Sequence, residues 1–522
     1  MRDFHKPGRS AVFADQGMCA TSHPLATQTA IALLQAGGNA VDAAIGAAIL
    51  LGFCEPQSTG IGGDMFALVS QPDGQIIGLN ASGRAPAGID ADALRAKYDT
   101  MPLYDVGAVT VPGAIDGFCR LHGDHGHLPL DRVLAPSIHY ADAGIPVAPR
   151  VAFDYTQSAA LLSGHARSLF LKDDAPLPVG ARFAAPGQAE VLRRVAAEGR
   201  TGFYEGEVAE DMVASLRALG GSHTLDDFAA TQCTYVEPLR SRYRGAELLE
   251  LPPNGQGATA MLILNMLETM DPQDDPFSTQ RAHLEAEATK LGYDARDQFI
   301  ADMDHVTRLD HMLSKGTAKA LADLINPDTA MPDPRAASDN VHKETIYITV
   351  VDKDRRAVSL IYSIFHSFGS GLASDTFGIL FQNRGGGFTL EQGHPNEVGP
   401  GKRPMHTIIP GMLKLDDGSL MPFGVMGGAY QSAGHARFVS NIVDYGMGPQ
   451  AAIDGPRSFA EAGHVKVERG YGQAVHDGLA AKGHNVQIPE TAVGGAQAIR
   501  IRPDGVLEGG SDPRKDGIAL GY

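Results

Sequence analysis

Apolar and polar positions divide the chain into a helix-rich first part and a strand-rich second. Residues 23–36 predict a helix, stopped at Gly37-Gly38-Asn39 as glycine stops helices. A second helix, from 40 to about 51, is apolar on nearly every side and should lie buried between layers. Its one charge, Asp42, falls in the first turn, where the helix dipole favours an anion. The loop EPQSTGIGGD then leads into a strand at 65–70. Residues 85–325 read largely as helix, with loops at Pro112-Gly113 and at Pro252-Pro253-Asn254-Gly255. Residues 326–344 form the clearest compositional break and predict a linker. Strands follow at 345–351, 357–365, 379–382, 465–468 and 496–501. Helices followed by strands predict an α+β fold, with helices on the faces of a mainly antiparallel sheet.

Bulk composition narrows the function classes. The chain has 522 residues, of which 43% are hydrophobic and 20% charged, with 62 glycines. Its net charge is −18 and it has no dense Lys/Arg block, which argues against nucleic acid or an anionic membrane as the main partner. The four cysteines form no CxxC pair, so neither a disulfide framework nor a zinc site is expected of them. The opening MRDFHKPGRSAVFADQG lacks the apolar core of a signal peptide, and 43–54 is shorter than the ~20 residues a bilayer requires. A cytoplasmic protein is expected.

Several local patterns suggest chemistry. His122, His125 and His127 in LHGDHGHLPLD bring three imidazoles together, but the glycines and Pro129 read as a loop, a poor frame for fixed metal geometry. Gly60-Ile61-Gly62-Gly63-Asp64 precedes a strand, whereas a dinucleotide fingerprint follows one, so a tight turn is the better reading. Neither HExxH nor GxSxG occurs. In TIYITVVDKDRRAVSLIYS, a four-residue loop at 353–356 would pair Asp352 with Ala357. That register puts Thr345 opposite Ile364, beside Ser363; a one-residue slip would change the face Ser363 occupies. VMGGAY can present adjacent backbone N–H groups, as an oxyanion hole requires, or it can be an ordinary tight turn.

In order along the chain, GMCATSHPLATQTAIALLQAGGNAVDAAIGAAILLGFCEPQSTGIGGDMF, TIYITVVDKDRRAVSLIYSIFHSFGSG, PGKRPMHTIIPGM, VMGGAY and EGGSDPRKDGIALGY resemble the γ-glutamyltranspeptidase family of N-terminal-nucleophile hydrolases. The resemblance implies a four-layer αββα sandwich, made as one precursor that cuts itself between Glu344 and Thr345. The products would be a large subunit, 1–344, and a small subunit, 345–522, that stay associated; a homodimer of such heterodimers is the oligomer to test for. By matching position, Thr345 is the nucleophile and its freed amine the base. Ser363 is the supporting hydroxyl, and Gly427 and Gly428 form the oxyanion pair. His406 and Thr407 fall where the family has two carboxylate-holding serines. No metal or organic cofactor is implied.

This chain departs from the family around the pocket. The family's asparagine two residues after the supporting hydroxyl is Phe365, its glutamine is Arg384, and its amine-gripping aspartate is Gly387. Its carboxylate-binding arginine position holds Ser82, with Arg84 two residues on, and the lid loop is shortened to GHPNEVGPGKRP. Arg84 and Arg384 are therefore candidate carboxylate ligands. The implied activity is γ-glutamyl transfer or glutathione hydrolysis through acyl-Thr345. The alternatives are an acylase for a carboxylate-bearing amide without an α-amino group, oxamate-like or of the cephalosporin or glutaryl type, and an uncleaved binding protein.

Overall fold

The computed structural model describes residues 8–332 and 345–522; Glu344 lies outside the described residues. Two seven-stranded antiparallel sheets stack face to face. The first runs Ile518–Gly521, Met18–Thr21, Ile346–Val351, Ala357–Ser363, Asp64–Ser70, Ile76–Ala81, Thr234–Val236. The second runs Val12–Ala14, Leu507–Ser511, Gly495–Ile501, Leu420–Met426, Gly411–Lys414, Ala246–Glu250, Leu239–Tyr243. In both, segments from before residue 333 and after residue 344 are interleaved.

The period of two along each strand builds the layers. Ile346, Ile348 and Val350, with Val358, Leu360 and Tyr362, pack outward on the first helical layer. Tyr347, Val351 and Ile361 point the other way, meeting Leu249, Met412 and Ile499 of the second sheet. The far face of that sheet, through Leu248, Leu413 and Phe423, is covered by the helices Gly257–Glu268 and Gln431–Val443. Helix, sheet, sheet, helix is the αββα sandwich expected from the resemblance. Gly424 faces Tyr347 so closely that a Cβ there would lie 2.3 Å from the ring. The close approach of the two sheets at that point therefore depends on glycine.

The helix Ala40–Cys54 is buried along its whole length, as its apolar circumference predicts. Asp42 does more than answer the dipole. It closes a capping box with Asn39, and its carboxylate accepts the N–H groups of His127 and Leu128. Among the described residues no helix is long and apolar enough to cross a membrane.

The sequence expectations need five corrections. The hairpin loop has five residues, not four: Arg355 takes a left-handed φ of 64° and Val351 pairs with Ala357. Asp352 secures this turn by accepting from Asp354 N and Arg356 N, and from Ala40 N at the start of the buried helix. The second strand of the hairpin stops at Ser363, because Phe365 turns to φ 81°. Residues 379–382 are not a regular strand; their N–H groups reach separate partners, Ser374, Leu372 and Gly62. His122 and His125 lie on the helix Ala114–His125 rather than in a loop, and 234–250, read as helix, holds three strands.

Candidate active site

The one-residue difference in register decides how the site is assembled. Ile346 pairs with Tyr362, so Thr345 comes opposite Ser363 and both face the space between the sheets. Their hydroxyls share a hydrogen bond at 3.3 Å. Ser363 Oγ also accepts from Phe365 N at 2.9 Å and from Arg384 Nη2 at 3.3 Å. A hydroxyl has two lone pairs and one hydrogen. Two N–H donors occupy the lone pairs, which turns the Ser363 hydrogen toward Thr345 Oγ1.

Arg384 sits on the short helical turn Arg384–Gly387 and is fully buried. Its Nη1 donates to Thr407 Oγ1 at 3.1 Å, and its plane lies over the Phe365 ring, 4.2 Å from the centroid. Among the described residues its Nε has no hydrogen-bond partner and no carboxylate forms an ion pair with it. Burial pushes the guanidinium down to about 9, opposed by the charge of Asp64. A desolvated cation with a spare donor is suited to hold a ligand carboxylate.

The network continues to the glycine pair. Gln256 Nε2 donates to Thr407 O at 2.7 Å and to Gly428 O at 3.0 Å. Arg296 Nη1 fixes this amide by donating to Gln256 Oε1 at 3.1 Å. Gly427 ends the strand Leu420–Met426 at φ 117°, and a Cβ on it would lie 2.9 Å from Gly494 Cα. Gly428 opens a short helical turn, where the first N–H groups have no acceptor within the turn.

Next to Thr407, His406 is buried, with Nε2 3.2 Å from Asp64 Oδ2. Burial, reinforced by the charge of Arg384, pushes His406 down to about 3, so the ring is neutral and donates Nε2–H to the carboxylate. Asp64 also accepts from Gly83 N, Gly113 N and Gln382 Nε2. Asp64 pairs with Ser363 across the sheet, and is thus the anion nearest to this group of residues in the strand register.

Thr345, Ser363, Arg384, Thr407 and Gly428 thus belong to one hydrogen-bonded network, with His406 and Gly427 adjoining it in the chain. Arg84 does not join it. Its half-exposed guanidinium donates to Asp302 Oδ2 at 3.1 Å and to Gly401 O at 2.9 Å. Sequence reasoning missed Asp64, Gln256 and Arg296. Asp64 was visible only as a charge entering an all-apolar strand, and Gln256 only as a polar residue in the Pro252–Gly255 loop region.

Residues 26–522 match the family model described as Gamma-glutamyltranspeptidase. The glutathione hydrolase-like YwrD proenzyme of Bacillus subtilis is 34% identical over 98% of this chain and 99% of its own length. The oxamate amidohydrolase proenzyme of Klebsiella pneumoniae is 33% identical over 98% and 100%. The crystal structure of cephalosporin acylase from Bacillus halodurans superposes with a TM-score of 0.92 at 36% identity, covering 100% of this chain and 99% of that one.

Proposed function

From a chain that belongs to the γ-glutamyltranspeptidase family, we propose a self-processing amide hydrolase that cuts before Thr345 and takes short acyl groups bearing a carboxylate but no α-amino group. Two relatives are named as proenzymes, one glutathione hydrolase-like and one an oxamate amidohydrolase, which supports a cut into two pieces that stay associated.

The freed α-amine of Thr345, with an ordinary pKa of about 7.7–8.0, is unprotonated in a useful fraction of molecules near neutral pH and in that form accepts a proton. It takes the Thr345 hydroxyl proton as Oγ1 attacks the amide carbonyl. The hydrogen bond from Ser363 stabilises the oxygen as it loses that proton. The N–H groups of Gly427 and Gly428 receive the developing oxyanion. The ammonium then returns its proton to the leaving nitrogen as the C–N bond breaks. Water, deprotonated by the same amine, attacks the acyl-Thr345 ester and releases the acid.

The observation that carries the substrate reading is Arg384. Its guanidinium is two hydrogen-bond lengths from Thr345 Oγ1, by way of Ser363. A carboxylate bound there can be only a few bonds from the scissile carbonyl, which describes a half-amide of a short dicarboxylic acid. Oxamate is the shortest, and one relative is named for it. The position of the family's amine-gripping aspartate also favours this reading. A Cβ at Gly387 would lie 2.4 Å from Met405 O, so an acidic side chain does not fit there.

The test compares kcat/KM on oxamate, a glutaryl anilide and a γ-glutamyl anilide. Turnover of either des-amino acid with weak γ-glutamyl turnover is expected; preference for the γ-glutamyl anilide would defeat the substrate reading. Denaturing electrophoresis should show two bands, the smaller beginning at Thr345. Thr345→Ala should give one band and no turnover.

A further inference from the structure

A second cluster lies away from this site. His283 and Glu287 stand one turn apart on the buried helix Thr279–Phe299, and His484 follows the helix Gln473–Ala481. His283 Nδ1, Glu287 Oε1 and a ring nitrogen of His484 lie within 4.8 Å of one another, all on buried side chains. We propose that His283, Glu287 and His484 form a zinc site that pins the segment ending at residue 332 to the second part of the chain.

The geometry is close to that of a metal centre. Tetrahedral zinc with bonds of about 2.0–2.2 Å places its ligand atoms about 3.3–3.5 Å apart. His283 Nδ1 accepts a hydrogen bond from His484 Nε2 at 2.7 Å, the proton that a metal would displace to His484 Nδ1, and His484 Nε2 and Glu287 Oε1 are 3.9 Å apart. Shifts of about half an ångström in each bring both to the tetrahedral spacing. The surroundings fix the ligand atoms in usable states. His283 Nε2–H donates to Asn326 O at 2.8 Å, so the Nδ1 lone pair faces the cluster. Glu287 Oε2 accepts from Met331 N at 2.8 Å, which leaves Oε1 facing inward. Among the described residues, His484 Nδ1 is buried without a hydrogen-bond partner. A ring proton on that nitrogen would free Nε2 as a ligand.

The competing cation is Lys290. Its ammonium donates to Glu287 Oε1 at 2.7 Å and to Met331 O at 2.8 Å. It can keep Met331 O while zinc takes Oε1. The nearby Lys482 is engaged by Pro327 O. Asn326 and Met331, the backbone partners of the cluster, belong to the last described stretch before residue 333. The metal would therefore fasten the tail of the large piece to His484 of the small one. That bridging role rests on the proposed cut, but zinc binding does not. Uncut Thr345→Ala protein should bind zinc with the same affinity, so failure of the cleavage reading leaves the site standing.

Calorimetric titration of chelator-stripped full-length protein with zinc chloride tests the proposal. One saturable zinc per chain is expected, with Tm rising as zinc is added. His484→Asn and Glu287→Gln should each weaken binding about 100-fold, since ligand loss costs at least what loss of an outer-shell partner does. Lys290→Met should bind zinc more tightly than the parent and recover its Tm when zinc is present. Zinc binding unchanged by His484→Asn, or a Lys290→Met protein whose Tm zinc does not raise, would overturn the site. The second result would leave Lys290 as the sole counter-charge of Glu287.

Discussion

Arg384→Met should lower activity far more than it changes stability. A guanidinium pushed from 12.5 down to about 9 by burial carries about 5 kcal/mol of unfavourable free energy as a cation, at about 1.36 kcal/mol per pH unit. The charged form is the disfavoured one, so this cost is full at every pH below about 9 and fades only as pH climbs toward 12.5. Removing the charge recovers it. Methionine forfeits the stacking on Phe365, worth about 1–2 kcal/mol, and the two charge-assisted hydrogen bonds to Ser363 and Thr407, together about 3–6 kcal/mol. The two sides nearly cancel, between about 3 kcal/mol against the variant and about 1 kcal/mol in its favour, so Tm should move by no more than a few degrees. Catalysis moves the other way. Losing one partner of a buried carboxylate pair costs about 2–5 kcal/mol, or roughly 30- to several-thousand-fold in kcat/KM on a glutaryl anilide. A butyryl anilide, with no carboxylate, should lose less than about threefold by the same reasoning. The assays are steady-state kinetics on the two anilides and calorimetric Tm. If Tm falls by more than about 5 °C and both anilides lose rate alike, Arg384 is a packing residue and the carboxylate argument is refuted.

Other expectations follow from the same geometry. Ser363→Ala removes the hydrogen donated to Thr345 Oγ1 and should lower kcat about 10- to 100-fold, with KM little changed and self-cleavage slowed on a time course of denaturing gels. Gly427→Ala forces a Cβ against Gly494 at a φ of 117° and should cost about 100-fold or more in kcat, as loss of an oxyanion donor does, while far-UV circular dichroism stays native. Acid should unfold the protein through its buried imidazoles. His23 and His223 are held down to about 4 by burial, below the ordinary 6.5, so the unfolded chain takes up protons first. Their stabilisation is complete above 6.5 and is lost as pH falls toward 4. His223→Gln, which can keep a hydrogen bond to Val109 O, should flatten the slope of Tm against pH in that window.

The sequence made the layers legible because burial leaves a periodic signature. The all-apolar Ala40–Cys54 helix and the alternating strands of the hairpin each announce the neighbours that cover them. Three features hid the rest. The hairpin register turned on Arg355, a non-glycine residue in a left-handed conformation that no turn rule selects. Phe365 likewise takes φ 81°. A residue without glycine's freedom pays about 1–3 kcal/mol there, and its contact with Arg384 is what offsets it. Asp64 and Gln256 escaped because their importance comes from partners hundreds of residues away, including Gln382 and His406 for one and Thr407 and Gly428 for the other. Arg84 is a candidate in the sequence, beside Arg384, because it lies near the family's arginine in the chain. The fold instead gives its charge to Asp302.

The interleaved strand order has a consequence for the life of the molecule if it is cut as proposed. In the first sheet, Ile346–Val351 is hydrogen-bonded to Met18–Thr21 on one side and, beyond its hairpin partner, the sheet continues into Asp64–Ser70. Before cutting, folding is a unimolecular event. Afterwards the same architecture is a complex of two chains, neither of which has a complete sheet of its own. Its reassembly is second order in protein, and its folding equilibrium depends on concentration. Self-cleavage would thus act as a ratchet. The enzyme gains its amine and loses the concentration-independent route back from the unfolded state, so the lifetime of the active form is set by how slowly the woven sheets come apart.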